Sequence, residues 1–164
     1  MPFTPFHLGP VLFVGLLLFR WVNVPALLIG SVIADIEGFS AVFLGVNYPI
    51  HGYLHTSIGA LFVGVFLALI VYGLRKKINP MMEYLHLPQD FTFLSVIIGS
   101  LFGTFSHVFL DSFLYTDLKP FLPSLYNPFL GLFSSRTIYS FCTVTLFLGV
   151  FYYLIKLSQS KKSL

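Results

Sequence analysis

Apolar runs long enough to enter a membrane, carrying almost all of the histidines inside them, constrain this chain more than any other feature. Segments at about 5–20, 24–38, 51–74, 91–115 and 136–156 are apolar throughout most of their length. A helix needs roughly 20 residues to cross a hydrocarbon core about 30 Å thick. Only 9% of the residues are charged and 57% are hydrophobic, against about 25% charged in an ordinary soluble domain. The expected fold is an all-α integral membrane protein, a single membrane domain over residues 1–164. It is read as a compact bundle of about five membrane helices. The first two are short, joined by Arg20-Trp21-Val22-Asn23, and form a hairpin that need not span fully; Asn23 or Val24 is the expected cap and Pro25 sits in the first turn.

Orientation follows from the basic residues. Arg20, Arg75, Lys76, Lys77, Lys156, Lys161 and Lys162 fall on one side of the alternating segments, and only Lys119 and Arg136 on the other. Loops rich in lysine and arginine stay cytoplasmic, so the N-terminus is expected outside and the C-terminus inside. The opening Met1-Pro2-Phe3-Thr4-Pro5-Phe6 lacks the basic region of a signal peptide, and the first apolar stretch is expected to be retained. The loop 116–135 holds three prolines among Phe121, Leu122, Leu125, Tyr126, Phe129 and Leu130, which places it in the outer interface rather than in water. The basic residues act as topology signals, so nucleic acid is not an expected partner. The lone Cys142 excludes an internal disulfide and a cysteine metal cluster and reads as a small packing residue.

Ionisable side chains inside membrane helices cost several kcal/mol unless they find partners or water, which makes them markers of function. Here His7, Asp35, Glu37, His51, His55, His107 and Asp111 all lie in or at the ends of apolar segments. His51 with His55, and His107 with Asp111, are spaced four apart, hence on one helix face a turn apart, where both members of a pair can reach one ion. Depth agrees with spacing. Counted from the cytoplasmic ends, His55 lies 20 residues from Arg75 and Asp111 lies 20 from Phe91, so the two are level. His107 falls about 6 Å lower and His51 about 6 Å higher, at 1.5 Å per residue. His7 and Asp35 reach the same outer side. Ser95, Gly99, Gly103, His107 and Asp111 form one stripe at intervals of four, with small residues that permit close helix approach; His55 and Gly59 repeat the pattern.

The expected metal ligands are therefore His7, Asp35, His51, His55, His107 and Asp111. Imidazole and carboxylate without thiolate suit one or two divalent ions, zinc first and manganese or iron next. Two ions about 3.5 to 4 Å apart would clamp the attacking and leaving oxygens of a phosphoester. Glu37, beside Asp35 in the same acidic motif, could be a further ligand or the general base that takes a proton from water. The two do not share a helix face, so a loop or helix end is needed if both act, and Gly38 just past them suits such an end. Thr56, Ser57, Ser106 and Ser112 flank the ligands and could orient the imidazoles, although each singly suits a helix-packing hydroxyl. Lys119 and Arg136, the outer cations, could hold a substrate phosphate or anchor the interface by snorkelling. No GxSxG elbow, P-loop or dinucleotide fingerprint is present, which removes serine nucleophiles and nucleotide-driven transport from consideration.

The order of Met1-Pro2-Phe3-Thr4-Pro5-Phe6-His7, Ala34-Asp35-Ile36-Glu37-Gly38, His51-Gly52-Tyr53-Leu54-His55-Thr56-Ser57 and Ser106-His107-Val108-Phe109-Leu110-Asp111 resembles the YdjM-like membrane-bound metal-dependent hydrolases of bacteria and archaea. The likeness spans roughly residues 1–115. It implies metal-site roles for His7, Asp35, His51, His55, His107 and Asp111, with Glu37 near them, inside a helical membrane bundle. The chain departs from the family in having Glu37 where many members have a second aspartate, and Gly52 where many have arginine. The expectation is a metal-dependent hydrolase in the cytoplasmic membrane of a prokaryote, with its site on the extracytoplasmic side. It would cleave a phosphoester or related bond of a lipid or lipid-linked substrate. A metal-ion or proton-coupled transporter is the first rival. It needs a polar path inward from His107, where the fourth segment offers only Thr104, Ser100 and Ser95. A metal-using lipid oxidoreductase is the second.

Overall fold

The computed structural model describes residues 5–45 and 49–162, and every regular element among them is helical. The helices are α1 (Pro5–Leu17), α2 (Val24–Ile33), α3 (Asp35–Leu44), α4 (Ser57–Gly73), α5 (Arg75–Tyr84), α6 (Phe93–Ser112) and α7 (Ser135–Lys162), with a 3-10 turn at Tyr53–His55. Two of them, α6 and α7, are long and apolar enough to cross a membrane alone. The pairs α2–α3, bent by 41°, and α4–α5, bent by 78°, pass the same test together, which makes up to four spans. Large apolar side chains line the outward faces of α4 and α7, among them Phe62, Phe66, Phe147 and Phe151. That surface suits lipid rather than water.

Several boundaries differ from those read in the sequence. The second segment is two helices, and its break lies at Ala34, not at Gly38; α3 runs on to Leu44 and ends on Gly45 in the left-handed region, φ 63°. The third segment starts at Ser57 rather than at 51, because Thr56 is extended and its hydroxyl accepts from the Gly59 amide at 2.9 Å, the arrangement of an N-cap. His51 and His55 therefore do not share a helix face. At its other end the segment bends sharply at Leu74, so Arg75, Lys76 and Lys77 open a new helix. Asn23 caps α2 as expected, its side chain accepting from Ala26 N at 3.0 Å, with Pro25 in the first turn.

The bundle is tightest where α2 crosses α6. A Cβ on Gly99 would stand 2.6 Å from the Asn23 carbonyl oxygen, and one on Gly103 would collide with the Leu27 carbonyl oxygen. Any larger residue at either position would force the helices apart, so the small-residue stripe is what brings α2 within reach of His107. Gly59, read from the sequence as a second packing glycine, faces the Tyr53 carbonyl instead, and Gly64 takes its place against Leu101 and Thr104 of α6.

The two ends of the bundle differ in chemistry. At the end carrying Arg20 and Arg75, Leu16, Val24, Leu67, Val71, Met82, Phe91 and Val96 form an apolar core. Gln89 ties this end together: its Nε2 donates to the carbonyls of Phe19 and Val22, and its Oε1 accepts from Val24 N. The opposite end holds His7, Asp35, His51, His55, His107 and Asp111.

Candidate metal centre

Asp111 lies one turn beyond His107 on α6, and both are fully buried. His107 Nε2 stands 3.3 Å from Asp111 Oδ2. Its other ring nitrogen, Nδ1, lies 2.7 Å from the carbonyl oxygen of Ser31 on α2. A carbonyl only accepts, so Nδ1 carries the hydrogen and Nε2 presents its lone pair to the cluster. The bend at Ala34 puts Asp35 at the start of α3, where its Oδ1 is 3.5 Å from His107 Nε2 and 3.9 Å from His55 Nε2. His55 comes from the 3-10 turn; its Nε2 meets His107 Nε2 at 3.3 Å. One ligand atom from each of Asp35, His55, His107 and Asp111 lies within 4.8 Å of all the others. The four form a cluster that could hold a metal ion. Three are buried, and Asp35, with 27% of its side chain exposed, is where the cluster opens.

Three features of this donor set fit a cation. Two imidazole lone pairs cannot face each other at 3.3 Å without a proton or a metal between them. The two carboxylates, Asp35 and Asp111, carry a charge that one divalent ion neutralises. Asp111 Oδ1 is buried, and the His7 Nε2 beside it at 3.2 Å does not complete a well-aligned hydrogen bond, a costly state for a carboxylate oxygen. His55 sits on the turn outside the spanning helices. Burial lowers its pKa, but the carboxylates of Asp35 and Glu37, with the charge of Asp111, outweigh burial and push it up to about 9. The cluster thus draws positive charge.

The other residues singled out in the sequence stand around the four. Glu37 lies behind His55 rather than among the converging atoms. Its Oε2 is 3.0 Å from His55 Nδ1, accepts from Gly52 N at 3.0 Å and accepts from Leu54 N at 3.1 Å. It orients His55 and fastens the 3-10 turn to α3. His7 touches the cluster from the far side, its Nε2 3.2 Å from Asp111 Oδ1 and its ring stacked 4.1 Å from that of His107. His51 is placed one layer farther out. Its Nδ1 is 3.0 Å from Asp117 Oδ2, its ring stacks on Tyr115 at 4.0 Å, and its edge meets the His55 ring at 4.9 Å. Ser106 and Ser112 bond the carbonyls of Gly103 and Phe109 in their own helix, and Thr56 caps α4, so none of these hydroxyls orients an imidazole. The Ser31 carbonyl and Glu37 do that instead.

Sequence reasoning missed Asp117 and Tyr115. Asp117 stands in an irregular stretch where no period assigns it a face. Lys119 lines a cleft of about 480 Å³ together with His51 and Asp117. Arg136 is exposed at the start of α7, outside that cleft.

A family model described as "Domain of unknown function (DUF4184)" matches residues 1–162. No curated protein and no solved structure matches the chain.

Proposed function

The chain belongs to the DUF4184 family, and we propose that it is a membrane-embedded, metal-dependent hydrolase whose site faces the extracytoplasmic side. The bond it cleaves is a phosphoester or related bond of a lipid or lipid-linked substrate. One observation carries the reading: two histidines and two aspartates from three separate stretches of chain, α3, the 3-10 turn and α6, converge within 4.8 Å, with no cysteine among them. Such a set suits zinc, with manganese and iron as the alternatives. A divalent ion held there would supply Lewis acidity to a phosphoryl oxygen and make water acidic enough to react near neutral pH.

The remaining residues have roles consistent with this chemistry. Ser31 and Glu37 orient His107 and His55 and so keep both Nε2 atoms on the cluster. Asp35, the most exposed of the four, is the side from which a substrate would enter. His51, hydrogen-bonded to Asp117 at the wall of the outer cleft, can pass a proton to or from a bound group. The order of ligand motifs shared with the YdjM-like hydrolases supports the same class of reaction.

Transport, the main rival, is less well supported. Below His107, the Thr104 hydroxyl donates to the Ala60 carbonyl at 2.8 Å, and the apolar core around Leu67 and Val96 closes the bundle. The asymmetry of lysine and arginine supports the orientation, with the N-terminus outside.

Metal analysis of the purified protein tests the reading. Bound zinc, manganese or iron is expected in the parent and absent from His55→Ala and Asp111→Ala. Full-strength metal binding in both variants would sink the site. Metal binding accompanied by ion flux through liposomes, with phospholipid and phosphodiester substrates untouched, would replace hydrolysis with transport.

A further inference from the structure

We infer that the outer cleft and an apolar trough beside α4 form one lipid site, which takes an anionic glycerophospholipid with its phosphate at Lys119 and an acyl chain along α4. The inference rests on the hydrolase reading only for the fate of the bound lipid.

The cleft is the polar half. His51, Asp117 and Lys119 line its about 480 Å³. The carboxylate of Asp117 is paired with His51, whereas Lys119 is exposed and has no ion-pair partner among the described residues. The cleft therefore offers one ammonium group outside any salt bridge among the described residues, a group that can pair with an anion. The loop that presents Lys119 is held in place: the Pro120 carbonyl accepts from Ser57 N at 2.7 Å, and Leu118 is buried against Ala60 and Val108.

The trough is the apolar half. It also encloses about 480 Å³, and its lining of Ile58, Phe62, Val63 and Pro123 provides almost no polar group. The Thr56 hydroxyl in its wall already bonds the Gly59 amide and the Tyr53 carbonyl. Both hollows are of a size that takes small-molecule ligands.

The two halves are continuous. Tyr53, Thr56 and Leu122 line both. The trough begins at the outer end of α4 and follows it for about 7 Å from Ile58 to Val63, at 1.5 Å per residue, that is, from the level of the cleft into the apolar span. A free anion would use the cleft and leave the trough empty; a lipid in the outer leaflet fills both. His51 places the head of that lipid beside the metal cluster, one imidazole away, through its 4.9 Å contact with the His55 ring.

Photolabelling in nanodiscs tests the inference, with phosphatidylglycerol carrying a diazirine partway along one acyl chain. Adducts are expected to concentrate in residues 53–63 and 119–125, above the level on the equally apolar outer face of α7. Lys119→Glu is expected to lower that labelling about tenfold, the usual worth of one charged hydrogen bond, with Lys119→Gln falling between it and the parent. Val63→Trp fills the trough and is expected to remove labelling of α4. Zinc is measured in the same preparations: retained zinc shows that the variants fold, and localised labelling without zinc keeps the lipid site while sinking the metal reading. Labelling spread evenly over α4 and α7, or unchanged in Lys119→Glu, overturns the proposal. So does competition by water-soluble glycerol phosphate as effective as that by lysophosphatidylglycerol, because the trough would then contribute nothing.

Discussion

Replacing Glu37 with glutamine separates three roles that the sequence leaves open: ligand, general base and orienting partner. The structure puts the carboxylate against three donors, His55 Nδ1 at 3.0 Å, Gly52 N at 3.0 Å and Leu54 N at 3.1 Å. Glutamine keeps an oxygen for the two amides but removes the charge that holds the Nδ1 hydrogen on His55 and its Nε2 on the cluster. Outer partners of metal-binding histidines contribute about 10 to 100-fold in metal affinity, or about 1.4 to 2.7 kcal/mol. We therefore expect Glu37→Gln to weaken metal binding by that factor without changing the number of ions bound. Glu37→Ala should cost more in stability, because it strands both amides as well, at about 1 to 3 kcal/mol for each buried donor.

Cobalt titration in detergent provides the assay, since the visible bands report the number and type of ligands and the titration reports affinity. An orienting Glu37 leaves the band pattern near that of the parent and shifts the titration. A ligand Glu37 changes the bands and lowers the coordination number. A base that acts only on substrate leaves both unchanged. A dissociation constant within about threefold of the parent, under 1 kcal/mol, would refute the positioning argument.

The other expectations follow from the same geometry. His107→Ala should abolish metal binding, whereas His51→Ala should retain full metal stoichiometry, as measured by elemental analysis; the reverse result would put the centre one layer farther out. Gly103→Leu should push α2 off α6 and break the 2.7 Å contact between Ser31 and His107, lowering the thermal midpoint and preventing cobalt binding together. Gly73→Leu, where a side chain meets nothing within 4 Å, should leave both unchanged. Because the pKa of His55 is raised to about 9, its pairing stabilises the metal-free protein fully below its unfolded pKa of about 6.5 and is lost as pH rises through 9. Metal affinity should move the opposite way, strengthening toward pH 9 as the competing proton leaves; thermal melts with and without zinc across pH 6 to 9 check the two signs.

Depth along the helices was the most legible part of the site. Neighbouring segments of opposite direction place residues at equal distances from one membrane face side by side, and the level predicted for His55 and Asp111 is where the structure brings the two into one cluster. Helical spacing was reliable on α6, a continuous helix, and misleading at His51 and His55. There the chain is a 3-10 turn before Thr56, and the N-capping threonine was the available sign that the helix begins later. Asp35 and Glu37 show the same limit from the other side. Two residues apart on a helix, they face different ways, so one meets the ligand atoms and the other lies behind His55. Asp117 had no such handle, because an irregular loop has no period from which a partner can be inferred.

The irregular stretches are also where the ligands are. Backbone groups freed inside a membrane must find partners within the protein, and the interruptions at the outer end of the bundle do so next to the cluster. Glu37 takes the amides of Gly52 and Leu54, the Thr56 hydroxyl takes that of Gly59, and Pro120 takes that of Ser57. Asn127 donates to the carbonyl of Ser112, where α6 ends beside Asp111. The groups that make these bends tolerable in an apolar setting are therefore the neighbours of the groups that would hold a metal. The continuous α6 supplies only two of the four ligands, His107 and Asp111. The bend at Ala34 and the turn at Tyr53–His55 supply the others, and Glu37, bridging the two, ties the cost of breaking the helices to the construction of the site.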